Sequence, residues 1–397
     1  MKHSITTEQG GNPHEQPASS RRSGARRRAR NAVYRRHRRR GRQIAAIGES
    51  LLAFDGAEII DCAGKNVYPG FVEAHGHIDL DGYGIGYEGQ DYNEYGDPVT
   101  PHLRAIDGIK PGDYAFLEAA AAGVTSVYTG PGSSNVLGGT FAAIKTCGRR
   151  VDDMVIKAEV AMKCAFGENP KRCYRDKANS SRMTTASRLR EMLFKASEYN
   201  RKILAAGDDA SKLPPFDMKL NALLPVIRGE MPLKAHAHQA DDMFTAIRIA
   251  KEFGVKLTLE HCTEGHLCAD LFAKENLPMA VGPSLGNASK FELRKKTWET
   301  PAILDKAGCT VSIITDAPVI PLNYLPLCAG LAVREGMAAD AAWKAITINP
   351  AKVAGIDERV GSLEVGKDAD SAIWQGDPLH DIQARAQQVF VDGENVL

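Results

Sequence analysis

The chain has 397 residues, of which 43% are hydrophobic and 25% charged; this is ordinary globular composition and enough to bury a large core. It has no run of about 18 apolar residues and no apolar secretory segment at its start, so neither a membrane span nor a signal peptide is expected and the cytoplasm is the predicted location. The net charge of +1 is unevenly spread: residues 1 to 42 hold thirteen of the fifty Lys+Arg and two of the forty-nine Asp+Glu, leaving an acidic body of net −10.

Residues 21 to 42 carry twelve Arg and no acid. With Gly, Pro, Ser and Gln around them and little to bury, residues 1–42 read as an unfolded tail. Such an arm is either solvated without a specific role or a binder of nucleic-acid phosphate. The eight cysteines are scattered with no C-x-x-C, which reads as reduced thiols and not a disulfide framework.

Order is predicted from Gln43, with short strands at residues 44–48 and 57–61. Phe71-Val72 then leads into His75-Gly76-His77. Residues two apart on a strand face the same side, so both imidazoles aim at one point, and neutral imidazole is the commonest metal ligand among side chains. Two such histidines alone leave a metal site and a polar loop about equally favoured. A loop rich in Gly, Tyr and acids follows at residues 82–98, with Tyr83 and Tyr87 as candidate substrate contacts.

Residues 113–122 are predicted helical and 124–128 a strand. A Gly/Ser loop spans 129–139, a strand runs from 154 to about 160, and a long helix covers 181–204. From Pro232 the alternation is plain: strands at 233–238, 255–261, 277–281 and 310–315, with helices between them. Repeated β then α means a parallel sheet covered by helices, and the repeat number favours a TIM-like (β/α)8 barrel. The barrel is assigned to residues 69–356. Short strands at 371–374 and 388–391 suggest a small β-sandwich, built by both chain ends from residues 43–68 and 357–397.

Polar residues recur where predicted strands end: His75 and His77, Lys163, His236 and His238, His261, and Asp316. In a barrel all of these ends meet at one mouth. Here the residues carry a resemblance. Val67-Tyr68-Pro69-Gly70-Phe71-Val72-Glu73-Ala74-His75-Gly76-His77 resembles the first-strand signature of the metal-dependent amidohydrolase superfamily. Residues 43–48, 60–65, 361–370 and 391–393 resemble its flanking segments. The likeness runs from about residue 43 to 397 and is nearest the imidazolonepropionase-like and prolidase-like branch.

The resemblance implies a divalent metal, Zn²⁺ first and Mn²⁺ or Fe²⁺ as alternatives, as one ion or two. Its ligands would be His75, His77, His236, His261 and Asp316. Lys163 matches the place of a carboxylated lysine bridging two metals, with Lys157 and Glu168 as rivals. His238 and Arg172 join Tyr83 and Tyr87 as candidate substrate contacts. Asp316 would take a proton from metal-activated water and pass it to the leaving nitrogen of an amide, lactam or related small molecule. A deaminase is the alternative, weakened because Gln239 stands where such enzymes place a glutamate. Since relatives begin with sandwich strands, a shifted reading frame upstream of about Arg42 is a further expectation. A homo-oligomer is left open.

Overall fold

The computed structural model describes residues 4–8, 31–37, 41–48, 51, 58–82 and 86–397, with backbone alone before residue 43. Two four-stranded sheets draw on both ends of the chain. One has the order β3-β2-β1-β4, from β1 (Ser4–Glu8), β2 (Asn31–His37), β3 (Gly41–Gly48) and β4 (Glu58–Asp61). The other joins β5 (Asn66–Pro69) to three strands from the far end of the chain. The tail expected to be unfolded therefore contributes β1, β2 and the start of β3, and the sandwich begins before residue 43. An Arg-rich segment offers little apolar side-chain surface to bury, whereas strand pairing is carried by backbone hydrogen bonds. Residues 9–30, which include the first Arg cluster, lie outside the described residues.

The barrel is an eight-stranded sheet: β6 (Phe71–Gly76), β7 (Val124–Thr129), β8 (Leu137–Lys145), β9 (Val155–Ala165), β10 (Leu233–Ala237), β11 (Leu257–His261), β12 (Pro278–Val281) and β13 (Thr310–Ile313), in chain order. Neighbours are parallel except at β8, which runs antiparallel to both β7 and β9. The strict β/α alternation therefore breaks at the third strand. The Gly/Ser loop expected over 129–139 takes in only the start of this strand, and residues 140–145 were assigned no element, although all nine of its residues are buried. Gly139 has φ +115, and a Cβ there would lie 2.3 Å from the Leu103 carbonyl oxygen, so glycine is required.

Glu73 stitches the seam between β6 and the end of β13. Its Oε1 accepts the His75 N–H at 3.0 Å, and its Oε2 accepts both the N–H and the hydroxyl of Thr315, at 2.9 and 2.7 Å. Burial pushes this carboxyl up to about 7 against those bonds.

Helices cover the outside. The 25-residue helix Arg182–Ala206 starts where the Ser181 side chain accepts the Thr184 N–H. Ala240–Phe253 stops at Gly254 in the left-handed region. The chain ends with β14 (Ser371–Gln375), β15 (Arg385–Val391) and β16 (Glu394–Asn395), which complete the second sheet. Ile44, Ile60, Val67, Ile373 and Phe390 form the apolar layer between the two sheets, as expected of a sandwich built by both chain ends. All eight cysteines are free thiols. No helix among the described residues is long and apolar enough to cross a membrane.

Candidate metal centre

The C-terminal ends of β6, β9, β10, β11 and β13 bring His75, His77, Lys163, His236, His238, His261 and Asp316 together. Two groups have their ligand atoms within 4.8 Å of one another: His75, His77 and Asp316, and His236, His238 and His261. Local backbone explains how adjacent residues share the mouth. Glu260 points into the barrel, so a regular period of two would turn His261 outward. His261 instead adopts φ 72, and Asp316 φ 56, and both side chains swing back to the cluster. Left-handed backbone at non-glycine residues is uncommon and clusters at functional sites.

Each of four imidazoles has its Nδ1 tied to an oxygen. His75 faces Glu260 Oε2 at 2.8 Å, His77 the Gly130 carbonyl at 2.7 Å, His238 Thr263 Oγ1 at 2.7 Å, and His261 the Gly282 carbonyl at 2.9 Å. An acceptor at Nδ1 holds the proton there and leaves the Nε2 lone pair for a metal. Burial pushes His75, His236, His238 and His261 well below the ordinary histidine value, so they stay neutral.

The unpaired atoms point the same way. Both ring nitrogens of His236, His261 Nε2 and Asp316 Oδ1 are buried without a hydrogen-bond partner in the described structure. Neutral imidazoles and a carboxylate suit a divalent metal of the zinc type. The residues present therefore fit such an ion.

Lys163 is fully buried, with Nζ 3.0 Å from His75 Nε2. Burial pushes it down to about 7, with Asp316 and Glu260 opposing that shift. Of the two rivals, Lys157 donates to the Ala354 carbonyl, and Glu168 reaches the site only through its backbone N–H, which donates to Glu292.

Sequence reasoning missed the supporting charges. Glu260 accepts from His75, from Lys234 Nζ at 2.7 Å and from the Thr258 hydroxyl at 2.6 Å. Lys234 and His236 share strand parity, as do Thr258 and Glu260, and that alternation was the available signal. Glu260→Gln is expected to weaken divalent-metal affinity about 10–100-fold, read by competition with a chromogenic chelator. Unchanged affinity would show that the Glu260–His75 pair does not tune the ligand.

Three candidate substrate contacts fare differently from His238. Tyr83 lies outside the described residues. Tyr87 is 82% exposed, and Arg172 is exposed on the helix Glu168–Cys173. Among the described residues no hydrogen bond or ion pair joins either to the histidine cluster. Both were inferred from position in the chain, which does not fix which way a loop or short helix faces.

Comparison with known proteins agrees with this geometry. The amidohydrolase family model matches residues 227–396. An amidohydrolase structure from Thermotoga maritima MSB8 is 41% identical with a TM-score of 0.86, covering 89% of this chain and 93% of its own. The amidohydrolase tasK of Hapsidospora irregularis is 28% identical over 85% of this chain, which spans only 37% of that protein's length. The imidazolonepropionase of Acidiphilium cryptum is 24% identical, with 87% of this chain and 88% of that protein aligned. With the barrel, the paired histidines of β6 and the strand-end ligands in place, this chain belongs to the amidohydrolase family, in its imidazolonepropionase-like branch.

Proposed function

We propose that the chain is a metal-dependent hydrolase that cleaves an amide, lactam or related C–N bond of a small molecule, outside peptide backbones. The observation that carries this reading is the gathering of neutral, oriented imidazoles at the barrel mouth beside Asp316, whose Oδ1 has no hydrogen-bond partner among the described residues. His75, His77, His236, His261 and Asp316 would hold the metal, Zn²⁺ foremost, with Lys163 between the two ligand groups. When bound, such an ion lowers the pKa of water and polarises a carbonyl.

The chain's own residues supply the proton work. Asp316 Oδ1 lies 3.3 Å from His77 Nε2 and 3.7 Å from His75 Nε2, with its side chain 14% exposed. In this reading it would accept a proton from the attacking water and return it to the leaving nitrogen. Lys163, pushed down to about 7, has a neutral-amine fraction at neutral pH, the form that would add CO2, with release of a proton, to give a carbamate able to serve as a metal ligand. Gln239 accepts from Arg294 and is an amide, so it offers no carboxylate for the deaminase alternative.

The test is a hydrolysis panel of N-acyl amino acids, lactams and cyclic ureides. Turnover should be abolished by chelation and restored by Zn²⁺ or Mn²⁺. Turnover that survives exhaustive chelation with no metal left on the protein would refute the proposal.

A further inference from the structure

Two hydrogen-bond acceptors that the proposed mechanism does not use face each other at the barrel mouth. Glu292, in the turn Phe291–Leu293 after β12, is 1% exposed. Its Oε2 accepts the Glu168 N–H at 2.8 Å, and Gly167 makes room for it: at φ +79, a Cβ there would lie 2.5 Å from that oxygen. That bond fixes the carboxylate and leaves Oε1 buried with no hydrogen-bond partner among the described residues. His238, just past the end of β10, is 3% exposed, and its Nδ1 lies 2.7 Å from the Thr263 hydroxyl. Its Nε2 stands 3.7 Å from Glu292 Oε1, too far for a hydrogen bond between them.

Burial keeps His238 neutral. With its proton on Nδ1 toward Thr263, the ring presents a lone pair at Nε2, and an ionised carboxylate only accepts. The pair therefore lacks a donor, and buried acceptors left unmatched are costly. Two other groups stand near Oε1: His236 Nε2 at 3.8 Å, which the metal would occupy, and Lys290 Nζ at 3.8 Å. The Lys290 side chain is 23% exposed, so it covers the recess and has a route to swing into solvent. A nitrogen carrying two or more hydrogens can sit about 2.9 Å from both acceptors at once. A carbonyl or carboxylate oxygen, with no hydrogen to give, would be repelled there.

We infer that Glu292 and His238 form a subsite for a nitrogen donor group of the substrate, a urea- or amidine-type NH2 or an ammonium, separate from the bond that is cleaved. The inference rests on the hydrolase reading for this group being part of a substrate. The subsite itself is built from residues to which that reading gives no metal.

The test is a titration of the zinc-loaded full-length chain with N-methylurea and, separately, with methylguanidinium, followed by ligand-observed NMR, with metal content measured by mass spectrometry. At least one probe should bind the wild type, and the two arms distinguish a neutral from a cationic group. Glu292→Gln should weaken that binding about 10–100-fold and His238→Phe about 3–10-fold, the sizes of a charge-assisted and a neutral hydrogen bond. Lys290→Met, which only uncovers the recess, should bind at least as tightly as the wild type. If neither probe binds, or if both Glu292→Gln and His238→Phe bind like the wild type, the proposal is overturned. Loss of metal together with the probe in Glu292→Gln would also overturn it and make Glu292 a support of the metal centre. A wild-type chain that holds no zinc yet binds a probe through Glu292 would refute the metal reading and leave the subsite standing.

Discussion

Asp316→Asn is expected to lower kcat by about 10²–10⁴-fold while the protein stays folded. The size follows from the role: asparagine keeps the shape and one oxygen of the side chain but cannot accept and return a proton. The fold is expected to survive because Oδ1 of Asp316 has no hydrogen-bond partner among the described residues, so little is lost with the carboxylate. Metal content measured beside turnover separates two roles. Retained metal with lost turnover identifies a proton shuttle. Loss of both in proportion would make Asp316 a ligand first. Turnover equal to wild type with metal bound would remove Asp316 from the mechanism altogether.

Asp316 also illustrates what could be read before the fold was known. His75 and His77 were legible because a period of two is a property of any strand. His236, His261 and Asp316 were legible because barrel strands share one exit, so residues at predicted strand ends can be grouped without knowing distances. Lys163 was preferred to Lys157 through the resemblance and not through strand pattern, because the strand expected to end at about residue 160 or a few residues beyond runs on to Ala165.

Glu260 was hidden for a different reason. It meets His75 only when distant strands are brought together, 185 residues apart. Local pattern carries no trace of such a contact. The misread segments, β8 and the tail strands, are those where backbone pairing outweighs composition: glycines in one case, arginines in the other.

Lys145→Met is expected to cost about 3–5 kcal/mol of stability. Lys145 ends β8, on the antiparallel strand, and so lies at the barrel face opposite the mouth. It is 2% exposed, and its Nζ is 2.6 Å from Asp370, 3.0 Å from Asp368 and 3.0 Å from Asp392. Those carboxylates precede β14 or follow β15, so one buried cation joins the barrel to the outer β-layer. Burial pushes the lysine down, but Asp370, Asp392 and Asp368 more than offset this and hold it above its ordinary value. A raised lysine contributes stability that is fully present below the unfolded-state value and is lost only as the pH rises through the folded one. At neutral pH the joint is therefore intact.

Removing the cation leaves Asp370 buried without compensation, while Asp368 keeps Arg359 at 2.8 Å and Asp392 is partly exposed; one uncompensated buried carboxylate is still costlier than replacing a whole buried pair by apolar groups. The deficit should narrow as the pH falls, because protonation neutralises Asp370, the buried carboxylate the variant leaves unpaired. Burial already raises Asp370 and favours that protonation. Adding Asp370→Asn to Lys145→Met should recover part of the loss. Urea unfolding of the single and double variants at neutral and mildly acidic pH reads both effects. A single variant as stable as wild type at neutral pH would mean that solvent reaches the joint and screens its charges.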